Sequence, residues 1–245
     1  MLAILIVGDE ILRAQDQELN SFYITKQLHS IGQQVNEIRI VSDDVDMIAA
    51  TLTQLCVHYE YVISTGGIGP THDDVTMQGA AKAFRVRLVL NEQMEKLLCD
   101  HYPQSHWDSV RKMAMLPEGS SIVLNKPSHW PVIRKDNLFL LPGLPSLLRE
   151  KMEVIKELLP SLPIRWQGAL FLDVAEHHIA QKLMELQSTT MHVQIGSYPV
   201  TDNDKWTVRL TFVAIKEDEV QAVFTQACTL FKNYIVIKQI PTVLQ

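Results

Sequence analysis

Four carboxylates arrive in the chain as two adjacent pairs, Asp9-Glu10 and Asp73-Asp74. The second pair follows a strand-like run, Tyr61-Val62-Ile63, and a cluster of Gly66, Gly67, Gly69 and Pro70. No regular element tolerates that cluster, so the strand must end in a tight loop that leaves backbone N–H groups open. Ahead of a helix, such a loop suits a phosphate, because the free N–H groups and the helix dipole converge there. A bare glycine cluster is as often a plain turn, and this one is neither a Walker A loop nor GxGxxG. The acidic pair beside it tips the balance. Two carboxylates next to a phosphate repel it and each other unless a cation stands between them. The chemistry implied is a metal-assisted phosphate site, with Asp9, Glu10, Asp73 and Asp74 as ligands or bases. Oxygen donors favour Mg or a similar divalent ion such as Mn or Co, with a monovalent cation left open.

Parallel strands must bring these residues together. Residues 2–7 are wholly apolar, which reads as a central strand covered on both faces; its end delivers Asp9 and Glu10 to the edge where the glycine loop lies. A helix follows over 18–31, closed by Gly32, and places Asn20 in its first turn, where capping is the commoner role. A strand at 35–41 leads to Asp43 and Asp44, both read as caps of the next helix, which is marked by Ile48, Leu52 and Leu55. After the loop, Thr71-His72-Asp73-Asp74 offers caps for a helix over 77–84. A brief strand at 87–90, helices over 91–102 and 107–115, strands at 121–124, 131–134 and 138–141, and a helix over 146–159 complete this half.

The run TGGIGPTHDDVT resembles the signature of the molybdopterin-binding MoaB/Mog-like family, in the form found in CinA-type proteins and in the N-terminal domain of eukaryotic FAD synthases. Gly8-Asp9-Glu10-Ile11-Leu12 with Asn20-Ser21, Arg111-Lys112-Met113-Ala114 with Leu116-Pro117, and Leu141-Pro142-Gly143-Leu144-Pro145 resemble further motifs of that family, in the same order. The resemblance implies a three-layer α/β domain with a mostly parallel sheet over residues 1–160. It also implies ligand contacts from Asn20, Thr65, Gly66, Gly67, Gly69, Pro70, Thr71, Thr76, Arg111, Pro142 and Gly143, with Arg111 favoured over Lys112 as the cation facing the carboxylates. Some positions depart from the family pattern. Ala14 stands where many relatives have Gly, Glu18 where they have Asp, and Leu147 where they have Glu; residues 125–131 lack the usual APG-like segment. The last two differences resemble the FAD-synthase form.

Pro160-Ser161-Leu162-Pro163 reads as a linker. Beyond it, over 161–245, the pattern strand (164–172), helix (174–186), strand (191–197), strand (206–212), helix (217–231), strand (234–237) predicts a small ferredoxin-like α+β domain. Gly196-Ser197-Tyr198-Pro199 reads equally as a strand-end turn or as a segment approaching a ligand or a second copy. His177-His178 project about 100° apart on a helix and read as surface residues, not as one metal site.

Composition narrows the classes. A 47% hydrophobic content over 245 residues supplies buried cores, and a net charge of −6 argues against nucleic-acid partners. Three widely spaced cysteines suggest thiols in a reducing cytoplasm. The opening apolar run breaks at Gly8, too short to span a bilayer, so no membrane partner is expected. A homo-oligomer is left open. FAD synthases and CinA proteins append further catalytic modules for which 245 residues leave no room. FAD synthesis is therefore not expected. What the resemblance implies instead is metal-dependent cleavage of nucleotide diphosphates such as FAD or ADP-ribose to AMP and a monophosphate. The alternatives are a molybdopterin-binding or adenylylating protein of molybdenum cofactor biosynthesis, and a nucleotide-binding protein without turnover.

Overall fold

The computed structural model describes residues 1–124, 130–201 and 205–244, in two compact units, Met1–Ser161 and Leu162–Gln245. The first unit is a three-layer α/β domain. Its sheet runs β2 (Val35–Val41), β1 (Leu2–Val7), β3 (Tyr61–Thr65), β8 (Leu138–Leu141), β7 (Val132–Lys135), β6 (Ser121–Val123). The first four strands are parallel; β7 and β6 join antiparallel.

Every residue of β1 is buried, as an all-apolar strand at the centre of a covered sheet requires. Alternate side chains feed two cores. Leu2, Ile4, Ile6 and Ile63 pack with α2 (Asn20–His29) and α7 (Pro145–Leu158). Ala3, Leu5, Val7 and Val62 pack on the other face with α3 (Val45–His58), α4 (Thr76–Ala83), α5 (Glu92–His101) and α6 (Trp107–Arg111). A short helix, α1 (Asp9–Leu12), follows β1, and a separate ribbon pairs β4 (Leu88–Leu90) with β5 (Met115–Pro117).

Local chemistry explains two of the helix starts. Asp44 caps α3 by accepting from the Asp46 and Met47 N–H groups, and Asn91 caps α5 through Met94 N–H. Other boundaries shift. The helix expected over 107–115 stops at Arg111, passes through a 3₁₀ turn at Lys112–Ala114 and enters β5. The caps expected of Thr71-His72-Asp73-Asp74 are absent from α4, whose N-cap is Val75, because Asp74 turns back to bond Thr71.

The second unit has β9 (Trp166–Leu172), α8 (Ala180–Thr189), β10 (Gln194–Pro199), β11 (Val208–Ala214), α9 (Glu217–Leu230) and β12 (Ile235–Val243). Its antiparallel sheet has the order β10-β11-β9-β12, the ferredoxin-like βαββαβ arrangement. Leu170, Leu210, Phe212, Phe224 and Phe231 are among its core. Gly196 to Pro199 lie within β10, not in a turn, and His177 and His178 are exposed on a 3₁₀ turn ahead of α8. Among the described residues no helix is long and apolar enough to cross a membrane.

Candidate functional site

The carboxyl ends of β1, β3 and β8 open into a cleft of about 720 Å³ in the first unit. The tight loop after β3 is one wall. Gly66 has φ 102, and a Cβ there would lie 2.0 Å from Val7 O, so only glycine lets the loop pass this close to β1. Gly143, after β8, approaches on the other side; a Cβ on it would lie 3.2 Å from Gly66 Cα. Buried hydroxyls lock this corner: Thr65 Oγ1 donates to Pro142 O and Thr76 Oγ1 to Gly66 O, each at 2.8 Å. Asn20, the first residue of α2, does not cap its helix; its Nδ2 donates to Gly143 O at 2.8 Å and so joins the starts of α2 and α7.

The expected acidic pairs are not equivalent. Asp73, Asp74 and Glu10 line the cleft, whereas Asp9 does not. Asp9 pairs with Arg13 at 2.6 Å, and its N–H donates to Asp43 Oδ2 at 2.8 Å. Asp74 accepts from the N–H of Thr71 at 2.8 Å and also from its hydroxyl, so Thr71 shapes the acidic turn from outside the cleft. Asp43, read from sequence as a cap, instead lines the cleft. Burial pushes its carboxyl above the ordinary value, opposed by the Asp9 N–H and reinforced by the charges of Glu10, Asp9 and Asp73. The Thr71 hydroxyl and its own N–H hold Asp73 low, and His72 and Lys112 add to this.

The position of Asp43 could have been found from sequence. β2 is parallel to β1, so the residue just past its end reaches the same sheet edge as Asp9. Arg111 also lies away from where it was expected. Its guanidinium pairs with Glu95 at 2.9 Å and does not line the cleft, whereas Lys112 Nζ donates to Thr71 O at the back of the acidic turn. Gly66, Gly67, Gly69, Pro70, Thr65, Pro142 and Gly143 do line the cleft; Thr76 is buried beneath it.

Six carboxylates line the cleft, Glu10, Asp16, Glu18, Asp43, Asp73 and Asp74, with no lysine or arginine among the described lining residues. An anionic ligand therefore needs a cation of its own. Yet among the described residues no three His, Cys, Asp or Glu side chains converge as a cage for one. Mg binds in this way elsewhere, through one or two carboxylates with the remaining positions taken by water and substrate phosphates.

Comparison with known proteins places this architecture. Residues 3–163 match the family described as "Probable molybdopterin binding domain". The chain belongs to that family. Residues 166–240 match "FAD synthase, middle domain". A "Probable FAD synthase" of Caenorhabditis elegans is 29% identical over 96% of this chain and 50% of its own length. The chain thus spans half of that relative. A protein of Archaeoglobus fulgidus is 33% identical over 80% of this chain and 84% of its own. The crystal structure of the protein CinA from Thermoplasma acidophilum superposes with a TM-score of 0.59 at 27% identity, covering 64% of this chain and 95% of that one. The first unit is thus a MoaB/Mog-like domain with CinA-like and FAD-synthase-like relatives.

Proposed function

We propose that this molybdopterin-binding-type domain cleaves the P–O–P bridge of a nucleotide diphosphate such as FAD or ADP-ribose, releasing AMP and a monophosphate. The observation that carries the reading is the pairing of a glycine loop with six carboxylates in a cleft lacking a lining lysine or arginine among the described residues. Such a cleft rejects a bare diphosphate and accepts one that brings divalent cations.

When bound, Mg, Mn or Co supplies neutralisation of phosphoryl oxygens and a lowered pKa for water. The remaining roles fall to the protein. The backbone N–H groups of residues 67–69 would face one phosphate, in a loop held by Thr65, by Thr76 and by the Gly66 N–H bond to Leu141 O, so that little reorganisation is needed. Asp73 and Asp74, with Glu10, provide oxygen donors on the cleft wall. Asp43 is the carboxylate whose surroundings raise its proton affinity, the direction a general base for water requires. Asp9 acts from behind, orienting Asp43 through its N–H.

A second reading has its own support: the family's description names molybdopterin, and a pterin phosphate brings the same phosphate chemistry. Product identity separates the two. FAD, ADP-ribose, NAD and CoA are incubated with Mg, Mn and Co, and products are identified by mass spectrometry. AMP with a monophosphate partner supports cleavage. Pyrophosphate released from ATP only with added molybdopterin establishes the transferase, and tight nucleotide binding without either product leaves a binding protein.

A further inference from the structure

Each sheet ends in two outer strands, and among the described residues all of them are protected except β2. An outer strand offers a row of unpaired N–H and C=O groups to any other chain, and folds blunt it by shortness, Pro, Lys or an irregular register. β4, β5 and β6 are three residues long. β10 ends in Pro199, and β12 carries Lys238, Pro241 and two register irregularities. β2 has none of these devices. It runs for seven residues, Val35–Val41, without Pro, Gly or Lys, and its pairing with β1 is regular from Glu37 to Val41. On its other side it pairs with no strand among the described residues.

The groups on that free side follow from one bond. Val41 O accepts from Gly8 N–H, just past β1, so the backbone of Val41 points towards β1. Successive residues alternate, which turns the N–H and C=O of Asn36, Ile38 and Ile40 outward. Ile38 and Ile40 pair with Ile4 and Ile6 and so continue the α2 and α7 face of the sheet, yet they are 45% and 39% exposed. The apolar rows of the sheet thus run off its side into water. On the opposite face Glu37 and Arg39 hold each other at 2.5 Å, Glu37 accepting also from Tyr59 and Arg39 donating to Gln54. Their charges cancel and do not repel an incoming strand.

We propose that β2 docks a second copy of this chain, β2 to β2 and antiparallel, about a two-fold axis at Ile38. The sequence around Ile38 is complementary to itself under that rotation. Ile38 meets Ile38 of the second copy as a hydrogen-bonded pair, Asn36 meets Ile40, and Glu37 meets Arg39 on both sides of the axis, in the close pairs where side chains interact most. The neighbouring registers put Glu37 against Glu37 or Arg39 against Arg39, so charge selects this one. About six backbone hydrogen bonds form, and the isoleucines of both copies join in one apolar stripe. Such a pair is isologous and uses up the unprotected strand of each copy, so assembly through it stops at two.

Sedimentation velocity of the full chain tests this. Wild type should be a dimer that dissociates on dilution. Ile38→Lys sets like charges face to face at the axis and should weaken dimerisation about tenfold or more, as should Glu37→Arg. Neither side chain is buried, so both variants should fold, and circular dichroism checks this. Combining Glu37→Arg with Arg39→Glu restores opposed charges and should recover wild-type association to within about threefold, which no general loss of structure would do. A wild type that stays monomeric overturns the proposal and leaves the strand to an extended segment of another protein. A dimer that withstands Ile38→Lys, or a charge swap that fails to restore association, overturns it as well.

Discussion

The two acidic loops at the edge of the sheet are built on different principles. The loop after β3 is held by backbone geometry: Gly66 in a left-handed conformation, Thr76 bonded beneath it, and Asp74 folded onto Thr71. Around β1 and β2 the carboxylates are held by one another, Asp9 and Asp43 exchanging N–H bonds of 2.8 and 3.4 Å while Arg13 draws Asp9 outward. One loop is a rigid cradle. The other is a charge pair in which burial holds Asp43 above its ordinary value. Adjacent carboxylates in sequence therefore differ in their settings.

The cradle should break first. Gly66→Ala forces a Cβ into Val7 O at a positive φ and should destabilise the fold by more than about 3 kcal/mol, read as a large fall in the denaturation midpoint. Asp74→Ala comes next. It should lower turnover about 100-fold or more, while the lost turn bonds cost only about 1 kcal/mol of stability. Wild-type activity of that variant in saturating metal would make Asp74 a purely structural residue.

The charge pair should respond in the opposite sense. Asp43 is pushed up, so its charged form costs the folded state; that penalty is absent below the unfolded carboxylate pKa and grows as pH rises through the unfolded and then the raised folded value. Asp43→Asn should therefore raise Tm slightly at neutral pH, lose that gain on acidification through the same window, and reduce turnover. A gain that persists in acid would rule out charge as its cause. The smallest effect lies beside the pair. Ala14 adopts φ 54, a left-handed conformation that suits glycine, and Ala14→Gly should stabilise by roughly 0.5 kcal/mol once the extra freedom of the unfolded chain is subtracted.

Much of this was legible in the sequence. The uninterrupted apolar run of β1 fixed a central buried strand, and the glycine cluster marked the loop. Charge partners were not legible. Arg111 and Lys112 are neighbours in the chain, and only the change from α6 to a 3₁₀ turn decides that the first meets Glu95 and the second the Thr71 turn. Asp43 was obscured by Asp44, which takes the capping role that either could fill locally. The stretch that departs from the family's APG-like segment, 125–131, falls outside the described residues at 125–129.

On the proposed reading, this acidic cleft takes a diphosphate only together with a cation. Isothermal titration of wild-type protein with methylene-bridged ADP, which cannot be cleaved at its bridge, tests it directly in excess Mg and then in EDTA. Binding in Mg should weaken at least tenfold in EDTA. Equal affinity in EDTA would contradict it.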